Sequence, residues 1–174
     1  NKVFMYKSAN SFRISCVKSY NSNLIFSNPK EAFENVQKVS KENGYTIIHP
    51  FDGINTIQGT ASLGYEISNQ IKELDNIIIS VGGGGLISGV GSIIRQKYPH
   101  CKIIGVEPEG ARGLTESLEK GQPLSNVTIN TIADSLSPPF HLPFSFSICQ
   151  KVVDKMILVS DFEMKKAMKF MFDN

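Results

Sequence analysis

Tryptophan is absent and arginine is scarce: Arg13, Arg95 and Arg112 are the only guanidinium groups among eighteen basic residues. Nucleic-acid surfaces need clustered Arg and Lys. Here the lysines are scattered and the net charge is only +2, which argues against nucleic acid as a partner. No apolar run approaches the roughly 18 residues a membrane span needs, and the first residues carry no signal-peptide core. A membrane partner is therefore not expected. Cysteine is sparse too. Cys16, Cys101 and Cys149 are odd in number and far apart, with no CxxC. That excludes a disulfide framework or a thiolate metal cage and fits reduced thiols in a cytoplasmic protein. An initiator methionine is also missing, and a fragment of a longer protein is expected.

What is present is an ordinary globular composition, 41% hydrophobic and 20% charged over 174 residues, enough for one good core and part of another. Strand and helix signals alternate with short connections, the pattern of a parallel α/β sheet. Strands are expected at Val3–Tyr6, Asn23–Phe26, Tyr45–His49, Asn76–Val81, Lys102–Val106 and Met156–Val159. Helices are expected at Ser11–Tyr20, from Pro29 to Lys41 with Asn28 as N-cap, at Asn55–Lys72, Leu86–Lys97, Gly113–Lys120 and Phe144–Val152. A last helix opens on the capping box Ser160/Glu163. Residues 126–142 read as loop. The turn HPFDG at 49–53 is the one plausible boundary between subdomains.

Residues 77–91, IIISVGGGGLISGVG, carry most of the chemistry. A β-branched strand runs into four glycines and then at once into a helix. Glycine lets the backbone approach a ligand closely, and the first N–H groups of a helix point outward at the positive end of its dipole. Three readings are open. A P-loop would use the Gly84-to-Gly89 spacing, but the next residue is Val90 rather than lysine. A dinucleotide fingerprint fits neither register, ending on Ser88 or Ile87, although Glu107 sits where a ribose-binding acid would follow. A single phosphate monoester cradled by Gly82, Gly83, Gly84, Gly85 and the amide of Leu86 needs nothing more than backbone. It fits best.

The segments HPFDGINTIQGTASLGYEI, IIISVGGGGLISGVGSII, KIIGVEPEGA and TIADSL, in that order, resemble the fold type II pyridoxal-phosphate enzymes, and within them the threonine/serine dehydratase and serine racemase group. The resemblance covers nearly the whole chain. It implies an α/β fold of open, twisted, mainly parallel sheets flanked by helices, tryptophan synthase β-like and here incomplete. Residues 1–52 would be the later part of the small domain and 53–174 part of the large cofactor-binding domain. It implies pyridoxal 5'-phosphate as cofactor, a small amino acid as substrate and a homo-oligomer. By resemblance the phosphate cradle falls on Gly82–Gly85 and Leu86. The loop that faces the cofactor or substrate, Ala-Asp-Gly in the family, becomes Ala133, Asp134 and Ser135. The family's cation site falls on Glu107 and the carbonyl of Ala111; its second carboxylate falls on Gly113, a thin start for Mg²⁺ or Ca²⁺.

The family's Schiff-base lysine lies in a Ser-Phe-Lys-x-Arg-Gly segment that none of these lysines matches, so no catalytic residue is assigned and the chain alone is expected to hold the phosphate without turning over. The function expected of the whole protein is loss of water from threonine or serine to give a 2-keto acid and ammonia. A racemase shares the same signals. A non-catalytic phosphate-ligand fragment, or a dinucleotide binder resting on Glu107, are the readings from other classes. Elsewhere, His49 reads as shaping a strand exit, Asp52 as a turn or cap residue, His100 and His141 as solvated, Thr60 as helix packing, Gly89 and Gly91 as close packing on the sheet, and Cys101 and Cys149 as quiet core thiols.

Overall fold

The structure is a computed structural model that describes residues 1–7 and 9–174, with side chains at all of these but 29 and 30. The chain divides into two compact units, Asn1–Ile47 and Ile48–Asn174. In the first, β1 (Lys2–Tyr6) and β2 (Asn23–Ser27) pair in parallel, Lys2 beside Asn23. The helix α1 (Ser11–Ser19) joins them, capped by the Asn10 side chain accepting from Phe12 N at 2.8 Å. The second helix, α2 (Pro29–Asn43), follows β2. Asn28 stands at its N-cap, but its side chain makes no capping bond; its carbonyl takes the Glu31 and Ala32 amides instead.

The strand expected at Tyr45–His49 does not form: among the described residues this stretch pairs with no strand. Its backbone is engaged otherwise. Gly44 closes α2 in the left-handed region (φ 67°) and hands the Tyr45 amide to the Ser40 carbonyl, while the Tyr45 carbonyl accepts from the Ser40 hydroxyl. The β-branched run Thr46–Ile48 gave the strand signal, and helix capping overrode it.

The second unit holds α3 (Ile54–Gln70), β3 (Asn76–Ser80), α4 (Gly85–Lys97), β4 (Lys102–Pro108), α5 (Gly113–Lys120), α6 (Pro143–Val152), β5 (Lys155–Val159) and α7 (Asp161–Asp173). The three strands form a parallel sheet in the order β3-β4-β5, with Ile78 beside Ile104 and Val106 beside Ile157. The buried core gathers Ile79, Val81, Ile87, Val90, Ile94, Ile103, Leu114 and Phe146, where one face of the sheet meets α4 and α6. Helix α4 also packs along α3. A Cβ on Gly89 would come within 2.6 Å of the Ile57 carbonyl and the Ala61 amide, and one on Gly64 within 2.9 Å of the Val90 carbonyl. Gly89 therefore serves a helix–helix crossing, not the sheet packing expected of it. At the far end of α4 the Arg95 guanidinium donates to the carbonyls of Cys101 (3.0 Å) and Val152 (2.8 Å) and to Asp154 (2.6 Å), pinning the helix to the strand ends.

Between β4 and α6 the chain is largely irregular, with short 3-10 turns at Glu109–Ala111 and Asp134–Leu136. The Ser160/Glu163 capping box is present at the start of α7.

Candidate functional site

The four glycines leave the carboxyl end of β3 and enter α4 with Gly84 as N-cap (φ 87°). Protein closes on the loop from several sides. A Cβ on Gly83 would clash with the Phe51 side chain, 2.0 Å from its Cγ, and one on Gly85 would lie within 2.7 Å of the Phe51 carbonyl. A Cβ on Gly84 would lie 2.9 Å from the Cys149 Sγ, and one on Gly82 3.0 Å from the Leu136 Cα. Each glycine is thus demanded by a neighbour, and the bare backbone is what fits. The HPFDG turn contributes Phe51, the Asp134–Leu136 turn contributes Leu136, and α6 contributes Cys149.

The carbonyls of the loop face inward. Gly83 O accepts from the Ser145 hydroxyl at 3.3 Å, Gly84 O from the Cys149 thiol at 3.7 Å and the Ser88 amide at 3.0 Å, and Gly85 O from the Thr60 hydroxyl at 3.0 Å. Among the described residues no partner is found for the backbone N–H of Gly82, Gly83, Gly84, Gly85 or Leu86. Backbone donors near the core almost always find an acceptor. A run of five without one, at the positive end of a helix, suits a phosphate with its several acceptor oxygens and double negative charge. The residues present fit that group.

Asp52 and His49 hold the turn. The Asp52 carboxylate accepts from the Ser145 amide at 2.7 Å and so caps the N-terminus of α6, a partner 93 residues away that sequence reading could not supply. His49 Nδ1 accepts from the Asp52 amide at 3.1 Å, and its carbonyl accepts from Thr56 Oγ1. Burial lowers the His49 pKa, and nearby Asp52 partly offsets this. Ser135 stands in the 3-10 turn beside Gly82's neighbour Leu136, with its hydroxyl 3.2 Å from the Asp134 carboxylate.

Glu107 is only 1% exposed, and its carboxylate turns to the N-terminus of α5. Oε1 accepts from Leu114 N at 2.8 Å; Oε2 accepts from Thr115 N at 2.9 Å and Thr115 Oγ1 at 2.7 Å. Burial raises its pKa against the pull of these bonds. A carboxylate so committed cannot serve as the solvent-facing ribose acid of the dinucleotide reading. Nor does it fit a hard cation, which wants several free oxygens. Ala111, four residues further on, is buried at the end of the Glu109–Ala111 turn. The space next to Gly113, where a second carboxylate would stand, is taken: a Cβ there would come within 2.5 Å of His141 Nε2.

His141 is the residue that sequence reading misjudged. Expected in solvent, it is 4% exposed, and neither ring nitrogen has a hydrogen-bond partner among the described residues. Burial lowers its pKa to about 4. The flanking prolines signalled a surface loop, yet the loop's backbone is paired inward, His141 N to the Leu124 carbonyl and Val127 N to the Pro139 carbonyl.

Comparison with known proteins agrees with this geometry. The family model described as pyridoxal-phosphate dependent enzyme matches residues 2–174. Phenylserine dehydratase of Ralstonia pickettii is 39% identical over 173 residues, which cover 99% of this chain and 53% of that protein. Among solved structures, the processed form of threonine deaminase isoform 2 from Solanum lycopersicum superposes with a TM-score of 0.87 at 34% identity, covering 99% of this chain and 51% of that one. Maize serine racemase gives a TM-score of 0.88 at 32% identity, covering 98% and 52%. The chain spans about half the length of these relatives.

Proposed function

Since this chain belongs to the family of pyridoxal-phosphate dependent enzymes, we propose that it is the phosphate-holding segment of a dehydratase acting on a small β-hydroxy amino acid. The reaction removes the α-proton and the β-hydroxyl of threonine, serine or a β-aryl serine and yields a 2-keto acid and ammonia. The observation that carries the reading is the run of five amides from Gly82 to Leu86 without a partner among the described residues, the last three of them in peptide planes whose carbonyls, those of Gly83, Gly84 and Gly85, face inward. Bound pyridoxal phosphate supplies an electron sink for the charge left at the α-carbon.

This chain's own residues bind and orient. The Gly82–Gly85 and Leu86 amides take the phosphate dianion, and the dipole of α4 favours its charge. Phe51 and Leu136 close over the glycines and keep the loop from breathing. The backbone at Ser135 lines the substrate side, where a residue larger than the family's glycine narrows the space. Residues 1–52 belong to the later part of the small domain and 53–174 to the large cofactor-binding domain. No catalytic residue is assigned within this chain, because the Ser-Phe-Lys motif that carries the reactive amine is not among its segments. The protein works in the cytoplasm, in amino-acid metabolism, as a homo-oligomer.

Serine racemases are nearly as similar to this chain, and proton return to the opposite face of the α-carbon would give that outcome instead. The test is to assay the full-length protein with L-threonine, L-serine and phenylserine. The dehydratase reading expects 2-keto acid release from at least one. D-serine without keto acid would favour the racemase, and neither product would sink both.

A further inference from the structure

Three consecutive carbonyls of the glycine loop each lie within hydrogen-bonding reach of a side chain from a helix behind it: Gly83 of Ser145, Gly84 of Cys149 and Gly85 of Thr60, the two hydroxyls sharing their protons with the Leu142 and Ile57 carbonyls of their own helices' first turns. A peptide plane that turns its C=O one way turns its N–H the other. We infer that Thr60, Ser145 and Cys149 are positioning residues that fix the loop's peptide planes and thereby aim the outward amides at the phosphate. The inference rests on the phosphate-holding role proposed above.

Several features mark the three as a built support. They come from two helices, α3 and α6, at 25, 62 and 65 residues from their partners. Ser145 and Cys149 are fully buried. Ser88, one turn into α4, donates its hydroxyl proton to the Ser145 carbonyl at 3.1 Å and sits 3.3 Å from the Cys149 Sγ, tying α4 and α6 together. With the Ser88 proton committed, the thiol proton has two acceptors in reach, the Gly84 carbonyl at 3.7 Å and the Ser88 Oγ at 3.3 Å, and both hold the thiol against the loop. Burial pushes the Cys149 thiol up to about 11, so it keeps that proton at any physiological pH. The Ser88 amide already holds the Gly84 carbonyl at 3.0 Å, and the side chains add to that helix bond a fixed orientation that glycine by itself does not impose. Affinity gained by preorganisation is lost when ordering must occur on binding.

The test uses the full-length protein freed of cofactor and titrates pyridoxine 5'-phosphate, which lacks the aldehyde, beside unphosphorylated pyridoxine. Thr60→Val removes the hydroxyl at constant shape, and Cys149→Ala removes the thiol. Each is expected to weaken the phosphate ester by about two- to tenfold, the worth of one hydrogen bond, with pyridoxine affinity unchanged. Thr60→Ser and Cys149→Ser keep a donor and should restore most of the preference, and the ³¹P resonance of the bound ester should move in the first pair only. Equal losses for both ligands, or none, would overturn the inference while leaving the phosphate site standing. A parent protein with no preference for the ester overturns both. The two substitutions lie on different helices, so a misfolded variant of one leaves the other to decide.

Discussion

Protonating His141 would place a cation among buried groups that offer neither ring nitrogen an acceptor. The unfolded chain takes this proton at its ordinary 6.5, the folded protein only near 4. Stability is therefore full above about pH 7 and is lost progressively as pH falls from 6.5 towards 4, by up to about 3 kcal/mol. Glu107 works in the opposite sense, because burial raises its pKa and the folded state accepts that proton first. The contribution of His141 must be read as a difference. Denaturant melts at pH 7.5 and 5.0 should show His141→Leu losing less stability on acidification than the parent; parallel losses would contradict the assignment. The glycines make a sharper case. Gly83→Ala drives a methyl into the Phe51 ring, so it should cost at least about 1–3 kcal/mol. Adding Phe51→Ala should recover part of that, and additive losses in the double variant would contradict the contact.

At the scale of elements, caps connect what the sequence keeps apart. Removing the Asp52 carboxylate by Asp52→Ala deprives the Ser145 amide of its acceptor and should lower stability by about 1 kcal/mol, with amide exchange quickening first in the opening turn of α6. Glu107 anchors α5 with three bonds. Glu107→Ala should cost about 2–4 kcal/mol, since buried donors are left behind, and millimolar Mg²⁺ or Ca²⁺ should leave the parent's melting temperature unmoved. A clear rise with either ion would show that the carboxylate is freer than its bonds imply. Helix and strand positions were largely legible because apolar periodicity records burial: β3, α4, β4 and α5 lie within a residue or two of expectation. The supports of the glycine loop were not. A hydroxyl or thiol on a helix, as at Thr60, Ser145 or Cys149, carries no local sign of a partner some 25 to 65 residues away. For the same reason His141 between prolines read as solvent, and Glu107 as an available acid.

At the scale of the whole molecule, the described residues bury one face of the three-stranded sheet well and cover the other only in part. Ile77, Ile79, Ile103 and Met156 face the helices, whereas Ile78 is 68% exposed, Ile157 is exposed, and Ile104 and Val106 are half-covered on the other side. Parallel sheets are ordinarily buried on both faces, and a contiguous apolar patch of this kind binds other apolar surfaces. The 174-residue chain by itself should therefore enhance the fluorescence of a hydrophobic dye, and Ile78→Thr with Ile157→Thr should reduce the enhancement. The exposed Phe162, Phe170 and Phe172 of α7 keep it from vanishing. No change on substitution would place the dye elsewhere.

Under the proposed function, backbone donors rather than side chains take the phosphate group. The decisive measurement follows the ¹⁵N–¹H amide resonances of the protein during titration with pyridoxine 5'-phosphate and, separately, pyridoxine. The amide protons of Gly82, Gly83, Gly84, Gly85 and Leu86 should move downfield with the phosphate ester alone, and inorganic phosphate should reverse the movement. Equal responses to both ligands, or a response confined to other residues, would contradict phosphate recognition by backbone donors.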